Sequence, residues 1–333
     1  MTHLVQIQKD DTRRVALVEE PHLRVLDHFP TVHALAFAAV ARRRPLAALA
    51  RESAGQEILL YDQIYQGHSE WSLLTPIDHP VDPARCLVSG TGLTHLGSAR
   101  NRSAMHSAAT GPESDSMKMF RWGVEGGRPA EGHIGIAPEW FFKGRGGVLR
   151  AHHQALEIPA FAEDGGEEAE IAGVYLIDAD GHPCRLGFTP GNEFSDHAFE
   201  KKNYLNLAGS KIRTCSIGPE LILDSPFESV PGRTAILRAG QEIWSKDILT
   251  GQAEMCHSLA NIEHHHFKFP EHRRPGDVHV HYFGACALSF GDGVRLLDGD
   301  LMQVEFQGFG RALRNPVATA RDENSLVRVH TLS

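Results

Sequence analysis

Apolar and polar positions alternate over residues 4–8 and 14–18, where β-branched side chains are frequent, and Lys9-Asp10-Asp11-Thr12 between them has the composition of a turn. Beyond these two expected strands the period lengthens. Leu35, Ala36, Ala39 and Val40 recur at helical spacing, Thr31 stands where an N-cap belongs, and Pro45 suits the first turn of a second helix running to Ala54. Three prolines in Thr75-Pro-Ile-Asp-His-Pro-Val-Asp-Pro83 remove backbone donors and mark a linker. The expected organisation is a small N-terminal α+β domain over 1–82 and a larger domain over 83–333.

In the larger part, Cys86-Leu-Val-Ser-Gly-Thr-Gly reads as a buried strand whose glycine-bracketed end puts Thr94, His95 and Ser98 in a loop of the kind that carries chemistry. From 99 to 135 periodicity fades, which predicts a mobile cover over a site. The aromatic run after Pro138 ends at Lys143, and Gly144, Gly146 and Gly147 permit close backbone approach to an anionic ligand beside that lysine. Further short strands are expected at 221–224, 234–238, 277–283 and 301–307, separated by Pro-Gly, Ala-Gly, Asp-Gly and Gly-Asp turns, so the domain should be dominated by β-structure.

Composition narrows the function classes. With 333 residues, 41% hydrophobic and 23% charged, the chain can bury a large core as a soluble globular protein. A formal net charge of -9 and basic clusters no longer than Arg42-Arg43-Arg44 argue against nucleic acid as a partner, because phosphate binding needs gathered cations. Cys86, Cys184, Cys215, Cys256 and Cys286 are odd in number, scattered and free of any Cys-x-x-Cys pair, which excludes a disulfide framework or a structural zinc motif and fits a reducing compartment. No segment has the apolar length of a membrane span or the pattern of a signal peptide, so a cytoplasmic protein without membrane contact is expected.

Chemistry concentrates between Gly165 and Glu220. Glu168 and Glu170 are one residue apart at the head of an apolar run; on a strand they share a face while Ala169 and Ile171 turn to the core. Like charges held that close favour a cation between them, and carboxylate oxygens suit Mg²⁺, with Mn²⁺ or Ca²⁺ as alternatives. Glu193, in Gly-Asn-Glu-Phe-Ser-Asp-His after an expected strand at 185–189, is a third ligand, with Asp196 and Glu167 as competitors. Lys211, among small residues, is placed to act as a base or to hold a carboxylate. A solvated edge strand accounts for Glu-x-Glu equally well when that motif is taken alone. His279 and His281 share strand spacing, yet the glutamate that a cupin site requires is missing, and they are expected to pack or to support rather than to bind zinc.

Taken together, Glu168-x-Glu170, Asn-Glu-Phe-Ser at 192–195, Gly-Ser-Lys at 209–211, Gly218-Pro219, Pro275-Gly-Asp-Val and Asp298-Gly-Asp resemble the fumarylacetoacetate hydrolase superfamily in order and spacing, over about 86–317. The resemblance implies an α+β fold with a mixed β-roll catalytic domain, a metal on Glu168, Glu170 and Glu193, a 2-keto acid chelated to it, and a homodimer. This sequence has Glu193 where the superfamily usually has Asp, Thr94-His95-Leu96-Gly97-Ser98 where its hydrolases carry a water-activating histidine segment, and Phe283-Gly284-Ala285 at its Thr-Gly-Thr.

Over its whole length the chain looks like the branch of 2-keto-3-deoxy-pentonate dehydratases of bacterial pentose catabolism. That implies a lyase forming α-ketoglutaric semialdehyde through a metal-stabilised enolate, with Lys211, Lys143 and Ser195 catalytic, Thr94, Ser98 and Lys143 on the substrate, and the proton donor open among His95, His197 and Glu220. An acylpyruvate-type C–C hydrolase and a non-catalytic sugar-acid binding protein are the alternatives.

Overall fold

The computed structural model describes residues 1–106, 114–321 and 324–332. Strands β1 (His3–Lys9), β2 (Thr12–Glu19), β3 (His22–Leu26) and β4 (Ala54–Leu60) form an antiparallel meander, with helices α1 (Val32–Ala41) and α2 (Leu46–Glu52) between the last two. Thr31 caps α1 through its side chain, which accepts from the Ala34 N–H. α2 is shorter than expected, because Ala54 already belongs to β4.

The meander is one end of a 13-stranded sheet. With β5 (Cys86–Gly92), β6 (Glu139–Arg145), β7 (Ala169–Ile177), β8 (Pro183–Asn192), β9 (Leu221–Ile222) and β10 (Val278–Tyr282), the main path runs β4-β3-β2-β1-β9-β8-β7-β10-β5-β6. β1 joins β9 through His3 opposite Ile222 and Leu4 opposite Leu221. β10 and β5 pair in parallel, and the other neighbours on this path are antiparallel, so the sheet is mixed.

β7 is buried along its full length because the sheet is covered on both faces. On one face Ala172, Val174 and Leu176 pack with Leu4, Val88, Val278 and Leu35 of α1. On the other, Ala169 and Ile171 meet Phe188, Phe283, Val304 and Phe306, the last two from a five-stranded sheet built of Val230–Arg238, Gln241–Thr250, Leu301–Phe306, Leu313–Thr319 and Leu156–Ile158. The expected strands near 221, 234, 277 and 301 all exist, with ends shifted by up to four residues.

Two helices, α3 (Leu96–His106) and α4 (Asp115–Gly126), occupy most of the stretch expected to be a mobile cover; 107–113 of that stretch lie outside the described residues. The sequence hides α4 because its buried positions are small, Ser116 and Gly123, not an apolar stripe. A Cβ at Gly123 would fall 2.6 Å from Cys256 Sγ. No helix among the described residues is long and apolar enough to cross a membrane.

Histidines supply much of the polar content of the interior. On β10, His281 Nδ1 meets Ser89 Oγ at 2.9 Å and Nε2 meets Thr91 Oγ1 at 2.7 Å, so neither ring nitrogen is left for a metal. His279 Nδ1 lies 2.9 Å from His266 Nε2, on helix α7 (Leu259–Phe267). Burial pushes His279, His281 and His152 down to about 3, and His95 and His257 to about 4.

Each of these folded-state values lies below the ordinary value near 6.5, so the unfolded chain binds these protons first as pH falls. The stability owed to neutral burial is complete above pH 6.5 and is lost below it, by about 1.4 kcal/mol per pH unit for each proton taken up. The unfolding temperature should therefore drop steadily from pH 6.5 to 5 with net proton uptake, read by calorimetry in buffers of different ionisation enthalpy; a flat profile there contradicts neutral burial.

Candidate metal centre

Glu168 stands immediately before β7, Glu170 is its second residue, and Glu193 directly follows β8. Antiparallel pairing of β7 with β8 sets Glu170 opposite Gly191, and the Glu193 N–H donates to the Glu168 carbonyl at 2.9 Å. One carboxylate oxygen from each of the three glutamates lies within 4.8 Å of the others. All three side chains are buried, with Glu193 wholly inaccessible.

Two lysines reach the same point. Lys143 is not at a strand end as expected but inside β6, fully buried; its Nζ pairs with Glu193 Oε1 at 2.7 Å and donates to the Phe194 carbonyl. Lys211 closes the short helix α6 (Leu207–Lys211), and its Nζ bridges Glu168 Oε1 and Glu193 Oε2 while lying 4.8 Å from the Phe141 ring centre. Ser195 Oγ donates to the Glu193 carboxylate at 3.1–3.2 Å. His197, which opens α5 (His197–Lys202), has Nε2 3.1 Å from Glu168 Oε1.

Charge within this cluster is uneven. Burial alone would raise the Glu168 pKa, but Lys211 and His197 outweigh it and hold the carboxyl well below the usual range. Glu170 moves the other way, pushed well above the usual range by burial and then by the charges of Glu168 and Glu193. Burial pushes Lys143 down against the pull of Glu193. Among the described residues the Glu170 carboxylate accepts one hydrogen bond, from the Gly284 N–H at 2.7 Å. Two lysines thus serve Glu168 and Glu193, and among the described residues Glu170 meets no cation within ion-pair distance. A hard divalent cation among three convergent carboxylate oxygens removes that imbalance, so this donor set fits Mg²⁺ or a similar ion.

A small cavity opens onto the cluster. Glu168, Glu170, His197 and Lys211 line it together with Ser98, Phe141, Leu93 and Leu288. Of the residues expected to touch substrate, Ser98 is on its wall. Thr94 donates to the Phe283 carbonyl at 2.6 Å, and Thr94 and Lys143 are not among the lining residues. Of the candidate proton donors only His197 lines it: His95 is enclosed between Thr94 Oγ1 at 2.8 Å and Thr250 Oγ1 at 3.0 Å, and Glu220 accepts from Tyr61 and the Arg311 N–H and pairs with His3. The competing ligands are committed elsewhere, Glu167 to the N–H and hydroxyl of Ser289 and Asp196 to Arg213 and the first turn of α5. Sequence reasoning missed Phe141, Leu93 and Leu288, apolar walls with no motif of their own, and Gly284, whose contribution is a backbone N–H.

No protein-family model matches the sequence, and no curated protein matches it. Solved structures do match. A 2-keto-3-deoxyarabinonate dehydratase aligns with a TM-score of 0.71 at 18% identity over 96% of this chain and 100% of its own. A 2-keto-3-deoxy-D-arabinonate dehydratase complexed with magnesium and 2,5-dioxopentanoate gives 0.70 at 19% identity, again over 96% and 100%. The 2-hydroxyhepta-2,4-diene-1,7-dioate isomerase from Mycobacterium marinum gives 0.60 at 16%, over 97% and 100%. What the chain shares with them is the fold, the mixed α+β architecture that the motif resemblance implied.

The charge imbalance has a measurable consequence. Glu170→Gln removes the carboxylate that repels its neighbours, so it should raise the metal-free stability by on the order of 1 kcal/mol and abolish the upward shift of the unfolding midpoint that Mg²⁺ should give the wild type. Thermal unfolding with and without Mg²⁺ checks both signs; a variant still stabilised by Mg²⁺ as strongly as the wild type removes Glu170 from the site.

Proposed function

We propose that this protein is a divalent-metal-dependent dehydratase, a lyase that converts a 2-keto-3-deoxy-pentonate into α-ketoglutaric semialdehyde, which is 2,5-dioxopentanoate. The observation that carries the reading is the convergence of Glu168, Glu170 and Glu193 with Lys211, where Glu168, Glu170 and Lys211 line one cavity and Glu193 stands behind them. The fold shared with a dehydratase complexed with magnesium and that dioxo acid supports it. Assembly as a homodimer in the cytoplasm belongs to the same reading.

Bound on the three glutamates, the ion supplies Lewis acidity towards the 2-keto oxygen of the substrate. The chain's own residues then handle protons and water. Lys211 is the base that takes a proton from C3, since it is the amine on the cavity wall and Phe141 lies against its Nζ. Loss of the C4 hydroxyl with the proton taken from C3 releases one water and leaves a C3=C4 double bond. Transfer of a proton from C5 to C3 then gives the C4=C5 enol, and transfer of the C5 hydroxyl proton to C4 completes the aldehyde. Lys143 and Ser195 act through Glu193, neutralising and orienting it. Ser98 faces the substrate, Thr94 fixes the loop before it, and Leu93, Phe141 and Leu288 keep bulk water out.

Elimination is favoured over hydrolysis by His95. Both of its ring nitrogens face threonine hydroxyls and burial holds it neutral, so it is not poised to activate a water in the cavity.

The test is incubation of the full chain with Mg²⁺ and each C4 epimer of a 2-keto-3-deoxy-pentonate, following the semialdehyde. Lys211→Met should lower kcat by about 10² to 10⁴, the usual contribution of a positioned acid–base group. Consumption of neither epimer sinks the reading, and cleavage of a 1,3-diketo acid in their place assigns the site to C–C hydrolysis.

A further inference from the structure

We infer that His197 is a positioning residue for Glu168, and that position 166 must be glycine because a side chain there would drive the His197 ring off that carboxylate. The inference rests on the metal site of the proposed function and adds two residues to its support.

His197 is almost wholly buried, and its Nε2–H donates to Glu168 Oε1. Nothing else polar holds the ring: Nδ1 is buried with no hydrogen-bond partner among the described residues. A buried polar atom left in that state needs a compensating constraint, and here it is steric. A Cβ on Gly166 would lie 2.1 Å from Nδ1 and 2.6 Å from Cε1, so the glycine backbone forms the wall against which the ring rests. Phe290 meets the ring with centroids 5.3 Å apart.

Gly166 has no freedom to retreat. Its N–H donates to the Ser195 carbonyl at 2.9 Å and its carbonyl accepts from the Ser195 N–H at 3.0 Å, an isolated antiparallel bridge. The preceding Gly165 is packed as tightly, since a Cβ there would fall 2.4 Å from Phe194 Cζ. A methyl group at 166 must therefore displace the ring and not the backbone. A 3.1 Å hydrogen bond has little slack before it is broken, and Glu168 Oε1 is then left with Lys211 as its one remaining donor among the described residues. Ser195, on the other side of the bridge, donates to Glu193. The short bridge thus links the supports of two of the three carboxylates.

The experiment is titration of the full chain with Mn²⁺, by calorimetry and by the loss of the free-ion EPR signal. Gly166→Ala and His197→Ala should each weaken Mn²⁺ binding by about 10- to 100-fold, as removal of a ligand's supporting hydrogen bond typically does. Gly166→Ala introduced into His197→Ala should add less than about 2-fold, because the ring it would strike is gone. His197→Gln, which keeps an N–H donor, should recover part of the loss. Additive losses in the double variant, or wild-type affinity in His197→Ala, overturn the inference. Metal-free thermal unfolding is run on every variant; if Gly166→Ala does not fold, the order Ala below Gln at 197 decides. Failure of the wild type to bind Mn²⁺ overturns the metal site and this inference together, whereas wild-type binding that the variants leave unchanged overturns only the inference.

Discussion

Three carboxylates buried at one point set the terms for the rest of this molecule. A carboxylate out of water is costly unless a cation or hydrogen-bond donors meet it, and three within 4.8 Å add mutual repulsion. The surrounding elements each deliver one answer. β6 brings Lys143, α6 brings Lys211, α5 brings His197, and the segment after β10 brings the Gly284 N–H. Among the described residues Glu170 receives only that neutral donor, so its charge is the one that a divalent ion would balance.

Meeting that demand requires a scaffold that does not move. β7 and β8 carry the ligands near the middle of a sheet covered on both faces, where close packing transmits displacement instead of absorbing it. Ala169 and Ile171 are pinned in one core while Ala172 and Val174 are pinned in the other, so the backbone bearing Glu168 and Glu170 is held from both sides. The N-terminal meander takes part, because Leu4 and Val15 lie in the same cluster as Ala172 and Val278.

What the sequence made legible was whatever one segment determines by itself. Alternation located β1 and β2, turn residues set off the later strands, Thr31 announced α1, and Glu168-x-Glu170 with Glu193 and Lys211 marked the cluster that the fold brings together. What stayed hidden depends on pairs of segments. α4 is invisible to an apolar count because it packs through Gly123, Lys143 reads as a strand-end lysine open to a ligand until β6 is seen buried beside Glu193, and the role of Gly166 exists only in relation to a ring 31 positions later. Gly165-Gly166 directly before Glu167 and Glu168 was a signal in plain sight, since a pair of glycines at the head of a buried strand asks what comes that close.

Glu193 shows how such pairings settle the place of a single side chain. An aspartate at this point would carry its oxygens one methylene nearer the backbone, which is already tied to Glu168 by the 2.9 Å hydrogen bond from the Glu193 N–H. The longer arm instead presents Oε1 to Lys143 and Oε2 to Lys211, two ammonium groups that approach from different elements. One carboxylate thereby shares in both lysines, and Lys211 is joined through it to Glu168 as well. Lys211, anchored this way, sits on the cavity wall beside Glu168 and Glu170, so an ammonium group and two carboxylates face one small space without a separate loop to bring them there.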